Sequence, residues 1–221
     1  MEHIRENLEE IRANLPEDVK LIAVTKTYDP EYINEAISYG VTDIGENKVQ
    51  EILNKYDAVD SSVRWHLIGH LQTNKVKQII DKVVLIHSVD SMKLAKEIQK
   101  RAEAKDIIVN ILVQVNPAQE ESKFGIGMDE TERLIREILE SCPNIRVRGL
   151  MFIAPLESDP EKARPYFRIV KEQYDELGKI DHKNLKFDYL SMGMSIDYKV
   201  AVSEGSNMVR IGSSIFGRRQ Y

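Results

Sequence analysis

Short apolar runs alternate with helical stripes eight times along this chain, and that rhythm admits few architectures. The runs are Val19 to Thr25, Val41 to Gly45, Trp65 to Ile68, Val83 to Ile86, Ile107 to Val115, Val147 to Ile153, Phe187 to Leu190 and Met208 to Ile211. Between them apolar residues recur at three- and four-residue spacing, as in Val49, Ile52, Leu53 and Tyr56, or Phe167, Val170, Tyr174 and Leu177. Punctuation agrees with this division. Asp29-Pro30 supplies an N-cap and a first-turn proline for a helix that Gly40 closes, and Asn116-Pro117 stops the fifth run. Eight such units predict a closed parallel (β/α)8 TIM barrel rather than an open doubly wound sheet, and no Gly-rich dinucleotide fingerprint follows an early strand. An amphipathic helix with Ile4, Leu8, Ile11 and Leu15 on one stripe precedes the first strand and ends at Pro16. With no low-complexity linker or shift in composition, residues 1–221 are expected to form a single domain.

The length of 221 residues suits one barrel as well as two small domains, so length does not choose. Charge excludes more. With 31 Lys+Arg against 36 Asp+Glu the net charge is -5, which gives no positive field for nucleic-acid phosphates or anionic lipid. A single cysteine, Cys142, cannot form an intrachain disulfide, and the charged N-terminal segment lacks the apolar stretch of a signal peptide. No apolar run reaches the roughly 18 residues that cross a bilayer. A cytoplasmic protein is expected, without membrane or nucleic-acid partners.

Function in barrels collects at the C-terminal ends of the strands. Here those ends carry Lys26, Asn47, His70, Asn116, Ser191, Ser195, Arg210 and Gly212-Ser213. Lysine is rarely buried unless it is paired or neutral, so Lys26, on the same side of its strand as Ile22 and Val24, is either turned out to solvent or a working amine. The turn Gly212-Ser213-Ser214 offers backbone N–H groups with no bulky side chain in the way, and Ser195, at the expected start of the preceding helix, adds a hydroxyl. Together they make a cup for a phosphate. Each piece also has a plainer reading: Gly212 as a turn, Ser191 and Ser195 as caps, Arg210 in an ion pair, His70 as a wall residue, Asn116 as a turn residue. An amine and a phosphate cup at one mouth point to a phosphorylated aldehyde, which uses both.

The chain closely resembles the pyridoxal phosphate homeostasis proteins, the YggS and PROSC group, related in fold to the barrel domain of bacterial alanine racemases. The resemblance runs nearly the whole length. It is carried by Ala23-Val-Thr-Lys26, Ile44-Gly-Glu-Asn-Lys-Val-Gln-Glu51, Trp65-His-Leu-Ile-Gly-His-Leu-Gln-Thr-Asn-Lys75, Gly149-Leu-Met151, Leu190-Ser-Met-Gly-Met-Ser195 with Asp197, and Val209-Arg-Ile-Gly212 running to Ile215-Phe-Gly217. Departures are small, Ser206-Asn207 standing where Ser-Thr is usual. The resemblance implies an alanine-racemase-type barrel that carries pyridoxal 5'-phosphate (PLP) covalently on Lys26 as an internal aldimine, a Schiff base. It implies a phosphate held by Ser195, Gly212 and Ser213 with Ser191 close by, Asn47 beside the ring and Arg210 facing the pyridine nitrogen. Partial burial of Lys26 would favour the neutral amine that attacks the aldehyde. Arg210 can only donate, so it disfavours a protonated pyridine and leaves the ring a poorer electron sink.

Whether the cofactor does chemistry here is a separate question. The related racemases use a second proton carrier, a tyrosine presented with the help of a C-terminal β domain. This chain ends at Tyr221 soon after the eighth strand, with no room for such a domain, and a terminal tyrosine is a poor base. The expectation is a non-catalytic, monomeric PLP carrier with no catalytic or metal-ligating residues, handing the cofactor to PLP-dependent apoenzymes. The rivals are an amino-acid racemase or decarboxylase, and a Schiff-base aldolase acting without cofactor.

Overall fold

The structure is a computed structural model that describes residues 2–117, 124–155 and 158–217. Its strands are β1 (Lys20–Val24), β2 (Asp43–Glu46), β3 (Arg64–Leu67), β4 (Leu85–Val89), β5 (Val109–Val115), β6 (Ile145–Phe152), β7 (Leu185–Met194) and β8 (Met208–Ile211). They pair in sequence order, all parallel, and β8 returns to β1, with Ile22 opposite Arg210, so the sheet closes on itself. Around it lie α2 (Pro30–Ser38), α3 (Val49–Lys55), α4 (Val76–Ile79), α5 (Met92–Lys105), α6 (Met128–Ser141), α7 (Arg164–Leu177), α8 (Tyr198–Ser203) and α9 (Ser213–Phe216), with α1 (Glu2–Ala13) ahead of the first strand. This is the expected TIM barrel with its extra N-terminal helix.

Alternation along each strand divides the interior in two. Residues such as Ile44, Leu67, Ile86, Ile111, Val147 and Val209 face outward and pack with the helices in one continuous apolar layer. Residues of opposite parity, Ile22, Leu85, Leu112, Met151 and Met208, meet inside the barrel as a second, smaller cluster. The helix α1 belongs to the outer layer: Ile4 and Leu8 are fully buried, each adding roughly 1.5–3 kcal/mol of burial. The Asn7 amide donates to the Ile215 carbonyl at 2.9 Å, which fixes α1 to the turn after β8.

Two strands differ from the expectation, and both differences matter for the site. The fourth strand lies later than the apolar run Val83 to Ile86 suggested, ending at Val89 and so including His87 and Ser88. The seventh continues past Leu190 to Met194, placing Ser191 inside a strand and not in the connection after it. In each case a polar side chain breaks the apolar pattern while the strand continues, because His87 and Ser191 find each other as partners within the lumen. Gly193 has φ +95°, and the β7–β8 register shifts between Ser191 and Met194, so the strand bends just beyond Ser191. The helix after it starts at Tyr198, which leaves Ser195 in a turn rather than at a helix start. Residues 118–123, which follow the stop at Asn116-Pro117, and Tyr221, weighed as a proton carrier, lie outside the described residues.

Candidate functional site

A cavity of roughly 700 Å³ opens at the C-terminal ends of the strands, bordered by Lys26, Asn47, His70, Ser195, Arg210, Gly212 and Ser213. These were the residues singled out in the sequence, with two exceptions. Ser191 does not border the cavity: it is fully buried in β7 beneath it. Asn116, 9% exposed, also stays outside the lining, which receives Gln114 from the same strand instead. The Gln114 amide donates to the Phe124 carbonyl at 3.1 Å, tying the start of the next described segment to the barrel.

Behind the wall, a cluster of buried charge grips both neighbours of Lys26. The Lys55 ammonium donates to the Thr25 carbonyl at 3.0 Å, to Glu46 Oε1 at 2.8 Å and to Glu51 Oε2 at 3.1 Å, a full set for its three protons. The Thr25 hydroxyl donates to Glu46 Oε1 at 2.7 Å, and the Thr27 N–H donates to Glu51 Oε2 at 2.7 Å. Thr27 has φ +71°, a left-handed conformation that costs a β-branched residue about 1–2 kcal/mol. The chain is thus bent sharply just after Lys26 and held there from behind. Burial pushes the Glu46 carboxyl up, against the pull of Lys55.

Asn47 is placed by a close approach. A Cβ at Gly69 would lie 2.2 Å from the Asn47 carbonyl oxygen, so the two turns touch only because residue 69 is glycine. On the far side of the mouth, Ser195 joins the turns after β7 and β8: its Oγ accepts from the Gly212 N–H at 3.2 Å and the Ser214 N–H at 3.4 Å. With both lone pairs engaged, its proton is the group it has left to offer, which suits an anion. Asp197 steadies the same turn, accepting the Met194 N–H at 2.6 Å; burial raises its pKa.

Arg210 is 3% exposed and reaches the cavity from within the barrel. Its Nη1 donates to Ser191 Oγ at 2.7 Å and its Nη2 to the Phe152 carbonyl at 2.8 Å, so two of five N–H groups are used below and beside the cavity. Burial lowers its pKa to about 10, so it remains a cation at neutral pH. Ser191 leads on to His87, His66 and Asp43, a buried polar series that the sequence reading passed over. Strand parity was the available signal: His87 shares a face with Leu85, and His66 with Ile68.

At the rim, the His70 ring stacks on Phe124 with centroids 3.9 Å apart and planes 11° from parallel, as a wall residue would. The Tyr28 hydroxyl donates to the Gly217 carbonyl at 3.0 Å. No group of three or more His, Cys, Asp or Glu residues among the described residues is arranged to hold a metal ion.

The chain matches the alanine racemase N-terminal domain over residues 1–220. A pyridoxal phosphate homeostasis protein of Aquifex aeolicus is 48% identical over 203 residues, 91% of this chain and 88% of that protein. The chain belongs to the pyridoxal phosphate homeostasis protein family. A human member is 35% identical, covering 99% of this chain and 85% of its own. PipY of Synechococcus elongatus, solved with PLP bound, superposes with a TM-score of 0.88 at 33% identity, over 97% of this chain and all of PipY. An alanine racemase of Clostridium difficile, 17% identical with a TM-score of 0.77, shares the fold across all of this chain and 58% of its own. Among the described residues no helix is long and apolar enough to cross a membrane.

Proposed function

We propose that this family member binds pyridoxal 5'-phosphate, attached covalently through the Lys26 amine, and serves to store it and pass it to PLP-dependent apoenzymes. The observation that carries this reading is the convergence of three unlike groups on one cavity: an amine, a phosphate cup and a buried arginine. Each answers one part of the cofactor. Lys26, once deprotonated, adds to the aldehyde with loss of one water. With the Gly212 N–H turned to Ser195, the Ser195 hydroxyl and the Ser213 N–H would receive the phosphate, over a Gly212 that has no side chain to block it. Arg210, which borders the cavity, has three N–H groups beyond the two already used, and one of them would face an acceptor such as a pyridine nitrogen. Asn47 would border the ring.

When bound, the cofactor supplies an electron sink for carbanion chemistry at an attached amine. Arg210 weakens that sink, since a donor-only group discourages protonation of the ring nitrogen. Of the other proton carriers at the cavity, Tyr28 already gives its hydroxyl to Gly217, Asp197 accepts from Met194, and His70 lies flat on Phe124. The protein is read as a cytoplasmic monomer that holds the cofactor without a dedicated reaction.

Hydride reduction of the PLP-loaded protein followed by peptide mass spectrometry should find the cofactor on Lys26, and Lys26→Ala should abolish the visible band. A label on another residue, or a surviving band, would overturn the assignment. Incubation with L-amino acids in deuterated water separates carrier from racemase: rapid exchange of the α-hydrogen would refute the carrier reading.

A further inference from the structure

Five buried side chains from five strands run in hydrogen-bonding distance through the barrel lumen. Arg210 Nη1 lies 2.7 Å from Ser191 Oγ, which lies 3.1 Å from His87 Nδ1. His87 Nε2 lies 3.0 Å from His66 Nδ1, and His66 Nε2 lies 2.9 Å from Asp43 Oδ1. None is more than 3% exposed. Strands β4 and β7 are not neighbours in the sheet, so the bond between His87 and Ser191 crosses the interior.

The two ends determine every proton between them. An arginine can only donate, so Ser191 Oγ accepts from it. At the other end Asp43 also takes hydrogen bonds from Arg64 at 2.9 and 2.5 Å; although burial alone would raise its pKa, His66, Arg64 and Thr42 hold it well below the usual range, and it is an acceptor only. His66 must therefore carry a proton on Nε2. Burial disfavours a charge on either ring, so His66 is neutral and its Nδ1 is an acceptor. His87 then donates from Nε2 and accepts at Nδ1, and the Ser191 hydroxyl donates to it. The reverse order would set a bare imidazole lone pair against a carboxylate.

We propose that Asp43, His66, His87 and Ser191 form a one-way row of hydrogen bonds that locks the Ser191 hydroxyl and thereby aims Arg210 at the cavity, as positioning residues for the PLP site proposed above. A serine alone can rotate and offer its proton elsewhere. Pinned at His87, it has only acceptor capacity to show Arg210, and with the Phe152 carbonyl it fixes the plane of the guanidinium. Apolar side chains like Leu85 and Leu112 would fill the same lumen without desolvating polar groups, so direction is what the row adds.

Nitrogen-15 NMR of the full chain without added PLP reads the row directly. His66 and His87 should both be neutral and protonated on Nε2 at neutral pH; a proton on Nδ1 of either, or a cationic ring, would overturn the orientation. His87→Leu should weaken PLP binding about tenfold, as expected for a misdirected charged hydrogen bond, and should move the visible band of the bound cofactor. His87→Gln, whose amide offers one acceptor and one donor, should return both toward wild type. Should His87→Leu fail to fold, Asp43→Asn, which removes the acceptor-only end, carries the same expectation. A folded variant with unchanged affinity and spectrum would refute the aiming role. Reduction and mass spectrometry of the wild type keep the questions apart: absence of PLP from Lys26 would sink the cofactor reading, whereas the histidine protonation pattern is measured without it.

Discussion

Lowering the pH should destabilise this protein through its lumen. Burial is the main reason that His66 and His87 resist protonation; His66 and Arg210 add to it at His87, while Asp43 opposes it at both rings. In the unfolded chain each would titrate near the ordinary 6.5. Below that value the unfolded state binds more protons than the folded state, so stability falls as pH falls. One unit below, an unfolded histidine holds about nine-tenths of a proton, while His87, pushed well below the ordinary value, stays neutral, a penalty of about 1 kcal/mol. His66, its pKa lowered by burial against the pull of Asp43, adds a loss of the same sign, set against the roughly 5–15 kcal/mol that holds a typical domain folded.

The measurement is urea unfolding from about pH 7.5 to about pH 5.5 for wild type and His87→Gln. Glu46, Asp90 and Asp197, whose pKa values burial raises, bind protons more readily when folded and act in the opposite sense. They are present in both proteins and cancel in the difference. His87→Gln should lose about 1 kcal/mol less than wild type on acidification to about pH 5.5. Equal losses in the two proteins would show that His87 is not held neutral in the fold.

Other expectations concern the support of the mouth. Lys55→Met leaves the Glu46 carboxylate buried without its cation and should destabilise by about 3–5 kcal/mol in urea, with much of the loss recovered on adding Glu46→Gln. Gly69→Ala forces a methyl against the Asn47 carbonyl and should cost about 1–3 kcal/mol in thermal melts while weakening PLP binding. Ser195→Ala should lower affinity for PLP about tenfold by calorimetric titration and leave binding of unphosphorylated pyridoxal unchanged.

The barrel was legible because its outer layer obeys simple rules. Runs such as Ile107 to Val115 and stripes such as Leu134 to Leu139 sit against one another, and apolar periodicity reports that contact directly. Lys26, Ser195, Arg210 and Gly212 were legible because strand ends are where a barrel keeps its chemistry. Ser191 was misplaced for the complementary reason. A strand is expected to stop when its apolar pattern stops, yet Ser191 and His87 sit deep inside because each is the other's partner across the lumen. A pairing between residues 87 and 191 has no period for a sequence to display. The same holds for Lys55: its spacing from Glu51 reads as an ordinary exposed helix pair, and only the fold brings Glu46 and the Thr25 carbonyl beneath it.

Two kinds of interior therefore do different work in this barrel. The layer between sheet and helices is apolar and sums many burials of a few kcal/mol, so no single residue in it defines a direction. The buried polar groups add little net stability for their number, since desolvation offsets most of what their pairing gains. Their geometry is discrete, however. An ammonium with three fixed acceptors holds the Thr25 carbonyl before Lys26 and, through Glu51, the Thr27 N–H after it, and a row fixed at both ends holds Arg210. The amine and the guanidinium are thus referenced to the barrel by separate buried networks, one behind the wall and one through the lumen, and loosening either should misplace one of the two groups proposed to meet the cofactor while leaving the other in place.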